Sequence, residues 1–150
     1  MKFTNFTLKT PDDSTFNLYK YTPNNYVLLL FFRGAWCTFC KKQLQELGQN
    51  IDFFDQKNIK LVAISNDSQL KSNLLKTFLK LPFPVLSDPN TQLISKLNLK
   101  TKYKGHTTAK PAMFLLDKNH TVLYRYVSDN YDDRVSFKDL TVQINEAIKL

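Results

Sequence analysis

The chain has two cysteines, Cys37 and Cys40, which stand three residues apart in Trp36-Cys37-Thr38-Phe39-Cys40. They follow the apolar run Tyr26 to Phe32 and precede Lys41-Lys42-Gln43-Leu44-Gln45-Glu46-Leu47, a stretch of good helix formers. A strand that ends in a short turn and opens a helix with Cys-x-x-Cys brings both sulfurs into one helical turn. The unpaired N–H groups of that turn stabilise a thiolate. The thiolate is the nucleophile in disulfide exchange and in peroxide reduction, so the spacing points to a redox site.

Other uses of two cysteines have to be weighed. Free cysteines are often buried as small core residues. Structural zinc needs about four ligands, and the chain has no second pair, while His106 and His120 stand apart. A structural disulfide across so short a loop restricts little unfolded-state entropy. Two rivals of other classes remain open: a copper(I) carrier with His106 as third ligand, and a redox-inert binding module. The redox reading itself calls for no metal and no other cofactor.

At 150 residues and 43% hydrophobic content, composition predicts one globular domain over 1–150 with room for a core. Met1-Lys2-Phe3-Thr4-Asn5-Phe6-Thr7 lacks the apolar block of a signal peptide, and Tyr26 to Phe32 is too short to span a bilayer. The expected address is therefore cytoplasmic, where thiols stay largely reduced, with no membrane partner. The net charge of +8 invites a nucleic-acid reading, since Lys96, Lys100, Lys102, Lys104 and Lys110 surround Tyr103. No recognition motif accompanies them, and no nucleic-acid partner is expected. A basic loop near the site that attracts an acidic protein or an anionic substrate is the more economical use.

The elements that must position the dithiol follow from periodicity. Phe3 to Leu8 and Ser14 to Tyr19 read as a hairpin about Pro11-Asp12-Asp13. Cys40, Leu44, Leu47, Ile51 and Phe54 form one helical stripe. Ile59 to Ser65 reads as a second buried strand. Asp67 or Ser68 then caps a helix with Leu70, Leu74, Leu75, Phe78 and Leu79, ended by Pro82 and Pro84. Val85 to Asp88 is extended, Pro89 starts a helix carrying Leu93, Ile94 and Leu97, and the basic loop follows. Ala112 to Leu116 and Thr121 to Val127 form an antiparallel hairpin, and Ser136 caps a last helix with Leu140, Ile144 and Ile148. The predicted class is α/β, a mixed central sheet with helices on both faces and an N-terminal β-hairpin.

Trp36-Cys37-Thr38-Phe39-Cys40-Lys41 resembles the Trp-Cys-x-x-Cys-Lys signature of the thioredoxin superfamily. Lys110-Pro111 before a strand resembles the proline that in that fold takes a cis bond opposite the dithiol. Four further stretches are similar to the peroxiredoxin-like branch, the alkyl hydroperoxide reductase and thiol-specific antioxidant group. They are Phe32 to Cys37, Leu86 to Asn90, Pro111 to Asp117 and the tail Tyr124 to Arg134. There are departures from the branch. Setting its Pro-x-x-x-Thr-x-x-Cys motif on Cys40 puts Arg33 at the proline and Cys37 at the threonine, and Pro111 stands where an arginine is expected. Arg33, Lys41 or Lys42 would then have to supply the positive charge.

The resemblance implies a thioredoxin-like domain acting as a thiol–disulfide oxidoreductase or antioxidant thiol peroxidase. Cys37 and Cys40 would cycle between dithiol and internal disulfide, with Trp36, Phe39, Pro111 and Arg33 around the substrate. Cys37 is the expected nucleophile toward a protein disulfide, being placed at the exposed end of the helix, and Cys40 the resolving thiol. Under peroxide the family register exchanges the roles. The substrates implied are peroxides or protein disulfides, and the reductant an external thiol system of thioredoxin or glutathione type. The oligomeric state is left open.

Overall fold

The computed structural model describes residues 1–21, 24–130 and 134–149. Its centre is β3 (Tyr26–Phe31), flanked in parallel by β4 (Ile59–Ser65) and in antiparallel by β8 (Ala112–Leu116). Strand β3 can lie there because both its faces are apolar. Leu28 and Leu30 pack into one core, Val27, Leu29 and Phe31 into the other. Outward from β4 come β5 (Val85–Ser87), then β1 (Thr7–Lys9) and β2 (Thr15–Asn17). Outward from β8 comes β9 (Val122–Val127), which completes a mixed seven-stranded sheet in the order β2-β1-β5-β4-β3-β8-β9.

Helices α2 (Thr38–Gln49), α3 (Ile51–Gln56), α4 (Gln69–Leu79) and α6 (Phe137–Ile148) bury Leu44, Leu47, Phe54, Leu75, Leu140 and Ile144 against the first face. The second face is covered by α5 (Gln92–Lys96) through Leu93 and Ile94, by α1 (Leu18–Tyr21) through Leu18, and by Phe3, Phe6 and Phe16. Helices on both faces of a mixed sheet, with a dithiol after the central strand, make this a thioredoxin-like α/β fold with an N-terminal β-hairpin, as predicted. Among the described residues no helix is long and apolar enough to cross a membrane.

Several local expectations are corrected. The stripe from Cys40 to Phe54 is divided at Asn50 (φ −109°, ψ 26°) into α2 and α3. The second hairpin strand stops at Asn17 because Leu18 to Tyr21 turn helical and bury Leu18. Helix α5 starts at Gln92, not Pro89. Asp88 accepts the N–H groups of Gln92 (3.1 Å) and Ile94 (2.9 Å), serving the donors that a helix start leaves open. The basic loop is a second, two-stranded sheet, β6 (Lys100–Tyr103) with β7 (His106–Ala109), turned at Lys104 and Gly105 with positive φ.

Helix α4 departs most from its pattern. Ser68 caps it, accepting the Lys71 N–H at 3.2 Å, but only Leu75 of its large apolar residues is fully buried, while Leu70, Leu74 and Phe78 face solvent. Adjacent leucines therefore differ in what they hold. Leu75→Ala should cost about 2–5 kcal/mol of unfolding free energy. Leu74→Ala, at 59% exposure, should stay within about 0.5 kcal/mol of the parent. Urea unfolding of the two variants checks this, and similar losses in both would show that Leu74 is covered in solution.

Candidate active site

Both cysteines sit where β3 ends and α2 begins, at the carboxyl edge of the parallel strands, where open α/β sheets leave a crevice. The turn is closed by the Cys37 N–H donating to the Gly34 carbonyl at 3.1 Å. Gly34 has φ 155°, and a Cβ there would collide with the Trp36 indole, so the loop needs glycine to keep Trp36 in place. Asp67, just beyond β4, accepts the Ala35 N–H at 2.7 Å and the Ser65 hydroxyl at 3.2 Å through the same oxygen. Ser87 donates to the Asp67 carbonyl at 2.7 Å and lies 3.2 Å from Ser72. A buried polar chain thus ties the redox loop to β4, β5 and α4.

Cys37 is the N-cap of α2. Its sulfur accepts the Cys40 N–H at 3.3 Å, in the way a serine or aspartate oxygen caps other helices. The Cys40 thiol donates to the same sulfur across 2.6 Å. Two guanidinium groups complete the shell. Arg33 Nη1 stands 3.8 Å from Cys37 Sγ, and Arg134 Nη2 stands 3.7 Å from Cys37 Sγ and 3.3 Å from Cys40 Sγ. The Arg33 N–H donates to Cys40 Sγ at 3.4 Å.

These contacts separate the two thiols. Cys37 is pulled down to about 5, first by the hydrogen bond from the Cys40 thiol, then by the Cys40 N–H and the charges of Arg33 and Arg134, with burial opposing. Cys40 is pushed far up, because it holds the shared proton, is buried and lies beside the Cys37 charge. The geometry therefore favours a thiolate at Cys37 and a thiol at Cys40. That is the arrangement needed for an attacking and a resolving cysteine.

The β6–β7 hairpin covers one side of the loop. Asn66 Nδ2 donates to the Thr107 carbonyl at 2.8 Å and fastens the hairpin to the end of β4. The Tyr103 ring then stacks on Trp36 with centroids 5.4 Å apart and planes at 17°. The Arg33 guanidinium lies 4.0 Å from the Tyr103 ring and 4.6 Å from the Trp36 ring, favourable cation–π distances.

The residues singled out from sequence are only partly placed as expected. Cys37, Cys40, Trp36 and Arg33 come together. Trp36 is 48% exposed and Phe39 42% exposed, forming an aromatic rim, whereas Cys37 is buried rather than at an exposed helix end. Arg33 is buried too. Neither Lys41 nor Lys42 supplies the charge at the sulfurs; Arg33 and Arg134 do.

Pro111 lies next to Phe32 by register, since Ala112 pairs with Phe31, and so borders the redox loop. Its expected cis bond is not found, for no peptide among the described residues is cis. The backbone there is also used internally. The Lys110 N–H donates to Leu99 and the Pro111 carbonyl accepts from Ser128, at 2.7 and 2.9 Å. His106 is exposed on β7, and no group of three His, Cys, Asp or Glu able to hold a metal occurs among the described residues. The three-ligand form of the copper(I) alternative is therefore not assembled there.

Sequence reasoning missed Arg134, Tyr103 and Asp67. Arg134 lay in a stretch noted only for its family likeness, the tail from Tyr124, of which 131–133 fall outside the described residues. An arginine two residues before a capping serine is the one available signal. Tyr103 reads from sequence only as an aromatic within the basic loop expected near the site.

A family model described as AhpC/TSA family matches residues 1–125. Peroxiredoxin 2 of Picrophilus torridus is 28% identical over 105 residues, 66% of this chain and 51% of that protein. Thiol-disulfide oxidoreductase ResA of Bacillus cereus is 23% identical over 111 residues, 72% and 58% of the two chains. The chain thus spans only about half to three-fifths of these relatives' length. The crystal structure of peroxidoxin BcpB from Mycobacterium tuberculosis shares the fold with a TM-score of 0.82 at 19% identity, over 99% of this chain and 92% of that one. The family match runs through the dithiol loop and both halves of the sheet, and on that ground the chain belongs to the AhpC/TSA family.

Proposed function

We propose that the protein is a thiol-dependent oxidoreductase that reduces peroxides or disulfides through a Cys37/Cys40 couple. The observation that carries this is the Cys37 sulfur. It is at once the cap of α2, the acceptor of the Cys40 proton and the neighbour of two arginines. With a disulfide substrate, the Cys37 thiolate attacks one sulfur and releases the other as thiolate. The Cys40 thiol, losing its proton, attacks the mixed disulfide, frees the second thiolate and closes the Cys37–Cys40 bond. With a hydroperoxide, the thiolate takes the distal oxygen and the alkoxide leaves with a proton as alcohol. The sulfenic acid then condenses with the second cysteine, releasing water. An external thiol supplies the two electrons that reopen the internal disulfide.

Trp36 and Phe39 line the approach in this proposal, while Arg33 and Pro111 act from beneath, the first as charge and the second as a buried wall. A one-domain chain working in the cytoplasm fits the dithiol state, since the couple needs a reducing supply.

One observation favours exchanged roles under peroxide. Arg134 is nearer Cys40 than Cys37, and transfer of the shared proton across the 2.6 Å contact makes Cys40 the thiolate, matching the peroxiredoxin register. Single-cysteine variants separate the two. Cys40→Ser retaining peroxide-dependent sulfenic acid assigns attack to Cys37, and Cys37→Ser retaining it assigns attack to Cys40. Stopped-flow oxidation by hydrogen peroxide, an organic hydroperoxide and a model disulfide tests the activity itself. No reaction faster than that of a free thiol with any of them would end the proposal.

The pH dependence has a definite sign. A thiol held at about 5 stays ionised as pH falls from 8 and loses reactivity only on passing that value. Rapid labelling with monobromobimane followed by peptide mapping should mark Cys37 alone, at a rate flat between about pH 6 and 8. A midpoint at the free value of about 8.5 would remove the activation argument. Arg33→Gln and Arg134→Gln should each move the midpoint upward. A shift of about one unit, worth about 1.4 kcal/mol, would slow labelling near pH 5 several-fold.

A further inference from the structure

Beside the dithiol, between the redox loop, the start of α4 and the β6–β7 hairpin, lies a cavity of about 460 Å³. Trp36, Asn66, Asp67, Ser68, Lys71 and Tyr103 line it, and Lys104 of the hairpin turn with the start of β7 borders it. Its volume is that of a small-molecule site, too small for a folded partner. The stacked Trp36 and Tyr103 rings make one wall, at the residue directly preceding the nucleophile. Ser68, Thr107 and His106 offer hydrogen-bonding groups around it.

Basic side chains outnumber acidic ones around this cavity. Lys71 and Lys104 are exposed at its rim, with Lys102 on the adjoining strand, and none of them forms an ion pair within the described residues. The Lys104 ammonium instead stands 5.4 Å from the Tyr103 ring. The one acidic lining residue, Asp67, is buried, and one of its oxygens accepts from Ala35 and Ser65. A net charge of +8 adds attraction for anions at long range.

Resting on the function proposed above, we infer that this cavity is the docking subsite for a small carboxylate-bearing substrate. The carboxylates lie between Lys71 and Lys104, and the body of the molecule rests on Trp36 with its reactive atom toward Cys37. Two sources share this chemistry. One is an anionic peptide thiol that reduces the internal disulfide, two thiols giving one disulfide and the protein dithiol. The other is a carboxylate-bearing hydroperoxide, reduced to alcohol and water as the dithiol closes.

Trp36 is the single tryptophan of the chain and lies in the cavity wall, so binding can be read without turnover. In a Cys37→Ser, Cys40→Ser background, N-acetyl-S-methylglutathione is titrated against its dicarboxamide, which carries no charge, following Trp36 fluorescence. The carboxylate form should bind at least about tenfold tighter, and Lys71→Glu with Lys104→Glu should abolish that preference while near-ultraviolet circular dichroism confirms the fold. Equal response to both forms, no response, or a preference that survives charge reversal overturns the inference, whatever the redox activity proves to be. On the dithiol protein, a carboxylate-bearing hydroperoxide and its methyl ester are then compared. On the oxidised protein, glutathione and its diethyl ester are compared. A carboxylate advantage of about tenfold or more that is lost in the double lysine variant assigns the subsite to the substrate showing it. Absence of the advantage in both pairs overturns the docking role.

Discussion

A buried negative charge at Cys37 Sγ is the constraint around which the rest of the site is built. An unpaired charge removed from water is costly, and it persists only with hydrogen bonds and opposite charges close by. Here the compensation comes from three parts of the chain: the first turn of α2, the end of β3 through Arg33, and Arg134 ahead of α6. The Cys40 thiol adds a proton that is shared rather than lost. Closing the disulfide removes the charge that Arg33 and Arg134 face, while Arg33 keeps its contacts with the Trp36 and Tyr103 rings.

The framework that makes this affordable is the central sheet. Strand β3 is paired along its length with β4 and β8, so the loop that follows it starts from a fixed point. The Asp67 carboxylate then holds the Ala35 N–H from the neighbouring strand end. Gly34 permits a backbone path that leaves room for the indole. Rigid support of this kind is what keeps two sulfurs in reach of one another without distorting the helix they cap.

The departures from the peroxiredoxin motif acquire a physical reading in this setting. Where the family pattern has threonine, Cys37 supplies a sulfur that accepts the Cys40 N–H and caps the same helix. Where it has proline, Arg33 contributes both a backbone donor to Cys40 and a guanidinium near Cys37. Where an arginine is expected before β8, Pro111 stands, and Arg134 brings the missing charge from the far side. In the function proposed above, the site keeps the electrostatic roles and redistributes the residues that perform them. The hairpin adds a feature of its own, since Tyr103 closes an aromatic stack over Arg33 and leaves lysines at the rim of the adjoining cavity.

Sequence by itself determined the elements whose cause is local. The run from Tyr26 to Phe32 is apolar on both faces and had to be a central strand. Ser68 and Ser136 cap the helices they precede, and a three-residue spacing at a helix start brings Cys37 and Cys40 together. Tertiary structure decided what depends on partners distant along the chain. Alternation in Lys100 to Ala109 is masked by lysines, so only pairing across the turn shows a hairpin rather than a loop. The leucines of α4 look alike in sequence, and packing against the sheet alone selects Leu75 over Leu70 and Leu74. Arg134 is separated from Cys37 by most of the fold, and a charge contact at that separation leaves no periodicity or spacing to read. It exists because the fold brings its guanidinium to a sulfur that is largely buried.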